Sequence, residues 1–407
     1  MINKPKSSNL DFLNGDEAVA YGAKLCRPHV IAVYPITPQT IVVERIAEFI
    51  ANKLMDCEYV YVESEHSAMC AAMGASLVGA RAFTATSSQG LAYMHEMLHY
   101  VSGSRFPIVM MNANRTLAAP WNIFGDQRDS LAQRDTGWIQ VYVENGQEAL
   151  DMIIQAYAIA ENDRVYTPVM VNLDGFVNTH TYELVDVPGQ HEVDEFLPPF
   201  RSQNAIDFNH PRSFCMTAST EWNTEFRYQQ QQAMNHAQEV IEEVDQKFGE
   251  KFGRYYSGLV EEYRGEDAEV VLVGMGSVIG TSRIVVDKLR EMSLKVGLVK
   301  LRFYRPFPAE YFKGLGPRVK AIGIIDRDIS FGYEGAAASD IKAALGNSGV
   351  GPKVINFIAG IAGRDITKEN IEEMYYKLFN LTQGYVPMPY GMGFCVRPCC
   401  KDWKTCG

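Results

Sequence analysis

Three side chains able to do chemistry stand just beyond short apolar runs. Thr37 lies in Tyr34-Pro35-Ile36-Thr37-Pro38-Gln39-Thr40, directly after Val30-Ile31-Ala32-Val33. Pro38 suits a first helical position, since it has no N–H to lose there. That spacing predicts Thr37 as an N-cap, where free backbone N–H groups and the helix dipole make a site for an anion. It equally fits an ordinary capped turn. Glu65, in Glu63-Ser64-Glu65-His66-Ser67, follows Tyr59-Val60-Tyr61-Val62. A carboxylate at a helix start can serve as an acid or base, or merely complement the dipole. Arg115, in Asn112-Ala113-Asn114-Arg115-Thr116, follows Pro107-Ile108-Val109-Met110-Met111. Its fork matches a carboxylate ligand, or else Asp126 or Asp129 of the same loop.

The elements that would position these residues alternate along the chain. Further strands are read at 82–86, 138–143 and 169–173, with helices at 43–54, 68–80, 91–100 and 147–161. Residues 68–80 are nearly all small, which predicts a helix buried against a neighbour. Strands alternating with helices imply a doubly wound parallel sheet covered on both faces. Ligands of such sheets sit beyond the carboxyl ends of the strands. Thr37, Glu65, Gln89 and the 112–129 loop all fall there. After an irregular, proline-rich stretch at 188–220, a long helical pattern runs from 221 to 248. A second, smaller α/β unit then opens with Glu269-Val270-Val271-Leu272-Val273. The expected domains are 1–255, 256–385 and a cysteine-rich tail at 386–407. Gly274, Gly276 and Gly280 are spaced G-x-G-x-x-x-G, a weak dinucleotide signal that close strand–helix packing explains as well.

The 407 residues are 47% hydrophobic and 21% charged, with a net charge of −11 and no basic cluster, which excludes a nucleic-acid backbone as partner. Neither a signal peptide nor an apolar run of membrane-spanning length is read, so a cytoplasmic protein is expected. Cys26, Cys57, Cys70 and Cys215 stand alone in apolar surroundings and are expected to be small buried hydrophobes. Cys395, Cys399, Cys400 and Cys406 crowd the tail, but without the C-x₂-C-x₂-C run of ferredoxin-type sites. No metal site is assigned to the chain.

In sequence order, Tyr34-Pro35-Ile36-Thr37-Pro38, Ser64-Glu65-His66-Ser67-Ala68, Thr86-Ser87-Ser88-Gln89-Gly90-Leu91, Asn114-Arg115-Thr116-Leu117, Gln133-Arg134-Asp135-Thr136-Gly137-Trp138 and Leu173-Asp174-Gly175-Phe176 form a specific set. With Phe226-Arg227-Tyr228, Arg305-Pro306-Phe307-Pro308 and Gly360-Ile361-Ala362-Gly363-Arg364-Asp365-Ile366-Thr367, it resembles the α subunit of 2-oxoacid:ferredoxin oxidoreductases, pyruvate:ferredoxin oxidoreductase in particular. The resemblance stops at the tail and does not extend to Phe214-Cys215-Met216.

The resemblance implies a pyrimidine-type thiamine-diphosphate-binding domain followed by a transketolase C-terminal-like domain. It implies that Glu65 bonds the pyrimidine ring nitrogen of thiamine diphosphate and so favours the tautomer that acts as the base. It makes Thr37 a substrate contact, Arg115 the partner of the substrate carboxylate and Pro35 a cofactor-lining residue. No Gly-Asp-Gly…Asn loop for Mg²⁺ and diphosphate occurs in the sequence. That half of the site, with [4Fe–4S] clusters, is expected on β, γ and ferredoxin-like δ subunits, and the chain is expected to be inert alone. The implied reaction turns a 2-oxoacid and coenzyme A into acyl-CoA and carbon dioxide, with electrons passing to ferredoxin. Pyruvate is the default substrate, and Trp121 beside Arg115 would suit a bulkier acid such as phenylglyoxylate or a branched 2-oxoacid. Competing readings are a lipoamide-linked dehydrogenase β-type subunit and a non-catalytic assembly subunit.

Overall fold

The computed structural model describes residues 9–346 and 351–384 and the backbone of 392–394. The four tail cysteines lie outside the described residues. Two compact units form: Met1–Glu261 with Arg302–Pro308, and Glu262–Leu301 with Ala309–Gly407.

In the first unit, β1 (Leu10–Leu13) pairs antiparallel with β8 (Glu183–Asp186). The main sheet is built from β2 (Val30–Val33), β3 (Glu58–Tyr61), β4 (Ala82–Thr86), β5 (Val109–Asn114), β6 (Ile139–Tyr142), β7 (Val169–Asp174) and β12 (Phe303–Arg305), in the order β12-β6-β7-β5-β4-β2-β3. Every pairing in it is parallel except that of β12 with β6. A purely parallel sheet was the expectation. The antiparallel edge comes from a three-residue segment that no local pattern marks. It is held where the Arg302 carbonyl accepts from Tyr142 N–H at 2.8 Å. Strands β4, β5 and β7 are buried along their whole length, as expected of strands covered on both faces.

The helices follow from apolar periodicity. α1 (Gly15–Leu25), absent from the sequence reading, starts at a capping box between Asn14 and Glu17. α2 (Thr40–Ala51) buries Val42, Val43, Ile46 and Phe49. α3 (Glu65–Leu77) begins three residues before the expected start, because Ser64 caps it by accepting from Ser67 N–H at 3.2 Å. Only one face of it is buried: Ala68, Met69, Ala72 and Ser76 are covered, whereas the small residue Gly74 is exposed. The helix expected at 91–100 is two, α4 (Ser88–Tyr93) and α5 (His95–Gly103), meeting at Met94. A short α6 (Arg128–Leu131) precedes α7 (Gly146–Ala160), which is buried at nearly every position.

The stretch expected to be irregular holds a helix, Gln190–Phe196. The long helix runs Thr220–Phe252, roughly 50 Å at 1.5 Å per residue. Only its second half is buried, through Ala233, Ala237, Val240, Ile241, Val244 and Phe248, and Gly253 ends it in a left-handed cap at φ 78°. Of the isolated cysteines, Cys26 is buried as expected, but Cys57 and Cys70 are half-buried and Cys215 is exposed. Cys57 and Cys70 nevertheless pack at the edge of apolar clusters that include their sequence neighbours Met55 and Met69.

A six-stranded sheet, all of the second unit except the first half of β9, has the order β15-β14-β13-β10-β11-β9, with β9 (Val260–Tyr263), β10 (Val270–Gly274), β11 (Val296–Leu301), β13 (Ala321–Asp326), β14 (Lys353–Ile358) and β15 (Met392–Phe394). A Cβ on Gly274 would meet Val278 Cγ1 at 3.2 Å and Ile279 Cδ1 at 3.4 Å, so the glycine there serves close strand–helix packing. No helix among the described residues is long and apolar enough to cross a membrane.

Candidate active site

Parallel strands in register deliver their carboxyl ends to one edge. Thr86 on β4 is opposite Asn112 on β5, and Asn112 is opposite Asn172 on β7. Beyond that row the chain turns into helices or loops, and the four residues singled out from the sequence lie in those turns.

Thr37 is not an N-cap. It sits in a turn, residues 36–39, that closes through Gln39 N–H to the Ile36 carbonyl at 2.9 Å, and the helix starts only at Thr40. Buried Gln39 displaces the expected cap. Its side-chain oxygen accepts from Ile36 N–H at 3.3 Å, and its nitrogen donates to the Ala85 carbonyl on β4 at 2.8 Å. The Thr37 side chain is exposed, and Pro35 is half-buried in the same loop.

Arg115 follows β5 directly and is 7% exposed. Its Nη1 donates to the Thr37 carbonyl at 2.6 Å and its Nη2 to Gln89 Oε1 at 3.1 Å, so the turns after β2, β4 and β5 meet at one guanidinium. Neither expected acid pairs with it. Asp126 takes Arg128 at 2.8 Å, and Asp129 accepts the Arg115 backbone N–H at 3.1 Å. Arg115 Nε is buried without a partner among the described residues. Burial pulls its pKa below the ordinary value, and the charges of Asp129 and Glu65 oppose that pull. The Trp121 ring, 62% exposed, stands 6.0 Å from its Cζ.

Glu65 is 8% exposed at the first position of α3. Its carboxylate has no hydrogen-bond partner among the described residues, and Gly90 makes room for it. A Cβ on Gly90 would lie 2.6 Å from both Glu65 Oε1 and Thr86 Oγ1. Thr86 Oγ1 and Ser87 Oγ are buried and likewise partnerless. Buried polar atoms normally find partners. These orphans, an unpaired carboxylate and a backbone without a side chain form a cradle that fits a polar ring able to donate to Glu65.

Asp129, read from the sequence as an alternative partner of the Arg115 side chain, instead ties the cluster together through backbone and amide groups. Its Oδ2 accepts from Ser88 N–H at 3.0 Å and from Arg115 N–H, and its Oδ1 accepts from Asn114 Nδ2 at 2.8 Å. Burial raises its pKa to about 6, against the pull of those hydrogen bonds. Its reach to Ser88, 41 residues away, left no signal in the sequence. Gly175 closes the edge: its Cβ would fall 2.2 Å from the Asn114 carbonyl and 3.2 Å from Pro38 Cγ.

The profile for pyruvate flavodoxin/ferredoxin oxidoreductase, thiamine diphosphate-binding, matches residues 21–246, which carry this whole cluster. The chain belongs to that family. The profile of pyruvate:ferredoxin oxidoreductase core domain II matches residues 268–371. The pyruvate synthase subunit PorA of Methanothermobacter thermautotrophicus is 49% identical over 371 residues, 91% of this chain and 96% of the relative. The ketoisovalerate oxidoreductase subunit VorA of Pyrococcus horikoshii is 49% identical over 361 residues, 88% of this chain and 91% of the relative. The solved 2-oxoglutarate:ferredoxin oxidoreductase of Magnetococcus marinus, with 2-oxoglutarate, coenzyme A and succinyl-CoA bound, has the same fold, with a TM-score of 0.71 at 20% identity. That match covers 91% of this chain and 65% of that one. A split-gene transketolase, described as an inactive β4 tetramer, aligns with a TM-score of 0.52 at 11% identity over 90% of this chain and 98% of that one. The family's cofactor-binding domain thus coincides with the unit that holds Glu65, Gly90 and Arg115.

Proposed function

We propose that this chain is the α subunit of a 2-oxoacid:ferredoxin oxidoreductase, with Glu65 as the carboxylate that bonds the pyrimidine ring of thiamine diphosphate. The observation carrying this reading is the unpaired Glu65 carboxylate over side-chain-free Gly90, beside two partnerless hydroxyls. Thiamine diphosphate, when bound, supplies the carbon nucleophile and the electron sink for decarboxylation. Glu65 holds the proton at the ring nitrogen. Arg115 directs its remaining N–H edge at the substrate carboxylate, Thr37 contributes its exposed hydroxyl, and Pro35 borders the cofactor.

Partner subunits of β, γ and δ type would supply Mg²⁺, the diphosphate site and [4Fe–4S] clusters, and coenzyme A would take the acyl group. The missing Gly-Asp-Gly…Asn loop supports this division. The subunit names of the relatives support it too, and their two substrates leave pyruvate and a branched 2-oxoacid both in play. Trp121 beside Arg115 favours a bulkier or aromatic acid as the second reading.

The test is 2-oxoacid-dependent ferredoxin or viologen reduction by the assembled complex, with pyruvate, 2-oxoisovalerate and phenylglyoxylate. Glu65→Gln should cut turnover by ~10²–10⁴-fold. Turnover retained within a few-fold would remove Glu65 from the chemistry. Reduction of neither acceptor, with acyl transfer to lipoamide instead, would favour the dehydrogenase reading.

A further inference from the structure

A cavity of about 320 Å³ lies between the end of α5, the turn at Ser104–Arg105, residues 212–218 and the first turns of the long helix. That volume suits a small-molecule ligand. His99, Arg105, Arg212 and Arg227 line it, and no aspartate or glutamate does among the described residues. In a chain with 49 acidic and 38 basic residues, such a wall runs against the average. None of the three guanidiniums is in an ion pair among the described residues. Arg105 donates to the carbonyls of Tyr166 at 3.0 Å and Val165 at 2.5 Å, and Arg227 donates to Gln230 Oε1 at 3.0 Å. Arg212 feels Asp207, and His99 feels Asp135, only through space. Three guanidiniums lining one cavity, with no carboxylate bonded to them among the described residues, make a positive potential that favours an anion, screened in part by solvent at exposed Arg212 and Arg227. Phe214 and Phe226 add an aromatic wall, with Phe214 stacked on Phe106 at 6.3 Å between centroids.

We propose that this cavity binds a small organic phosphate, its phosphate among Arg105, Arg212 and Arg227 and its planar part against the two phenylalanines. Cys215 provides a built-in reporter. It lines the cavity, is exposed, and holds its Sγ 3.3 Å from Ser104 Oγ.

The experiment follows Cys215 alkylation by iodoacetamide in the assembled complex, read by peptide mass spectrometry, with millimolar AMP, inorganic phosphate or adenosine. AMP should slow alkylation several-fold, inorganic phosphate less, and adenosine not at all. Replacing Arg212→Gln and Arg227→Gln together should weaken AMP protection roughly tenfold or more, given the strength of charge-assisted hydrogen bonds. Both arginines are exposed, so the variant should melt with the parent. Equal protection by adenosine overturns the anion, and equal protection by inorganic phosphate overturns the aromatic half. Protection unchanged in the double variant places the ligand elsewhere. A Cys215 unreactive in the complex before any addition means that a neighbouring polypeptide covers the cavity, and the small-ligand site is then wrong.

Discussion

Gly90→Ala would place a methyl carbon 2.6 Å from Glu65 Oε1, 2.6 Å from Thr86 Oγ1 and 2.7 Å from Glu65 Cγ. Ordinary contact begins at 3.4 Å, so something must retreat by roughly 0.8 Å. Thr86 is β-branched and lies in a strand buried along its length, so its rotamer is stiff. The Glu65 arm has more torsional freedom, and its carboxylate makes no hydrogen bond to the protein that would restrain it. The carboxylate therefore moves, and the backbone at residue 90 gives way to clear the fixed Thr86 Oγ1. A misplacement near 1 Å costs about 10²-fold in rate. Overpacking against Thr86 costs about 1–3 kcal/mol, offset in part by the roughly 0.5–1 kcal/mol that alanine gains over glycine in helix α4. The assay is 2-oxoacid-dependent viologen reduction by the complex, alongside the melting temperature of the same sample. Turnover should fall about a hundredfold with melting lowered by only a few degrees, about 2–4 °C per kcal/mol. Shortening the displaced acid, Glu65→Asp in the Gly90→Ala background, should recover part of the loss. Full activity in folded Gly90→Ala would show that the position of the Glu65 carboxylate does not limit the reaction.

Asp129 gives a pH prediction. Its pKa rises from 3.8 to about 6 on folding, so the folded state binds the extra proton between those values. Its contribution to stability is therefore greatest below pH 3.8 and is lost as pH rises through about 6, a change on the order of 3 kcal/mol. Asp129→Asn should flatten that part of the urea-midpoint profile, and an unchanged slope would assign it to other groups. Glu148 and Arg302 form a buried pair at 2.8 Å, both side chains 1% exposed. Glu148→Ala strands the guanidinium and should cost about 3–5 kcal/mol in urea unfolding; a loss below 1 kcal/mol would mean that water reaches it. Trp121→Leu should lower kcat/KM for phenylglyoxylate relative to pyruvate by roughly two- to tenfold, and an unchanged ratio would move Trp121 off the substrate path.

Much of the frame was legible because it depends on local pattern. Short β-branched runs bounded by turn residues marked β2, β4 and β7, and three- and four-residue apolar spacing marked α2, α7 and the buried half of the long helix. The corner at Thr37 was misread for an equally local reason. Pro38 and a threonine satisfy the rules for a helix start, but Gln39 outbids them by reaching a carbonyl on β4, 46 residues away in sequence. The half-exposed face of α3 and the exposed thiol of Cys215 were misjudged because composition reports what a residue prefers, not what packs against it.

By itself, the sequence determined the alternation of strands and helices, the family, and the placement of Thr37, Glu65 and Arg115 beyond strand ends, since each follows from residues adjacent along the chain. Tertiary structure alone decided what those side chains meet. Arg115 finds Thr37 and Gln89 in place of an acid, Asp129 joins two turns, and Glu65 stays unpaired over Gly90. Such contacts depend on strands stacking in register across the sheet, and that geometry brings together residues the chain keeps far apart.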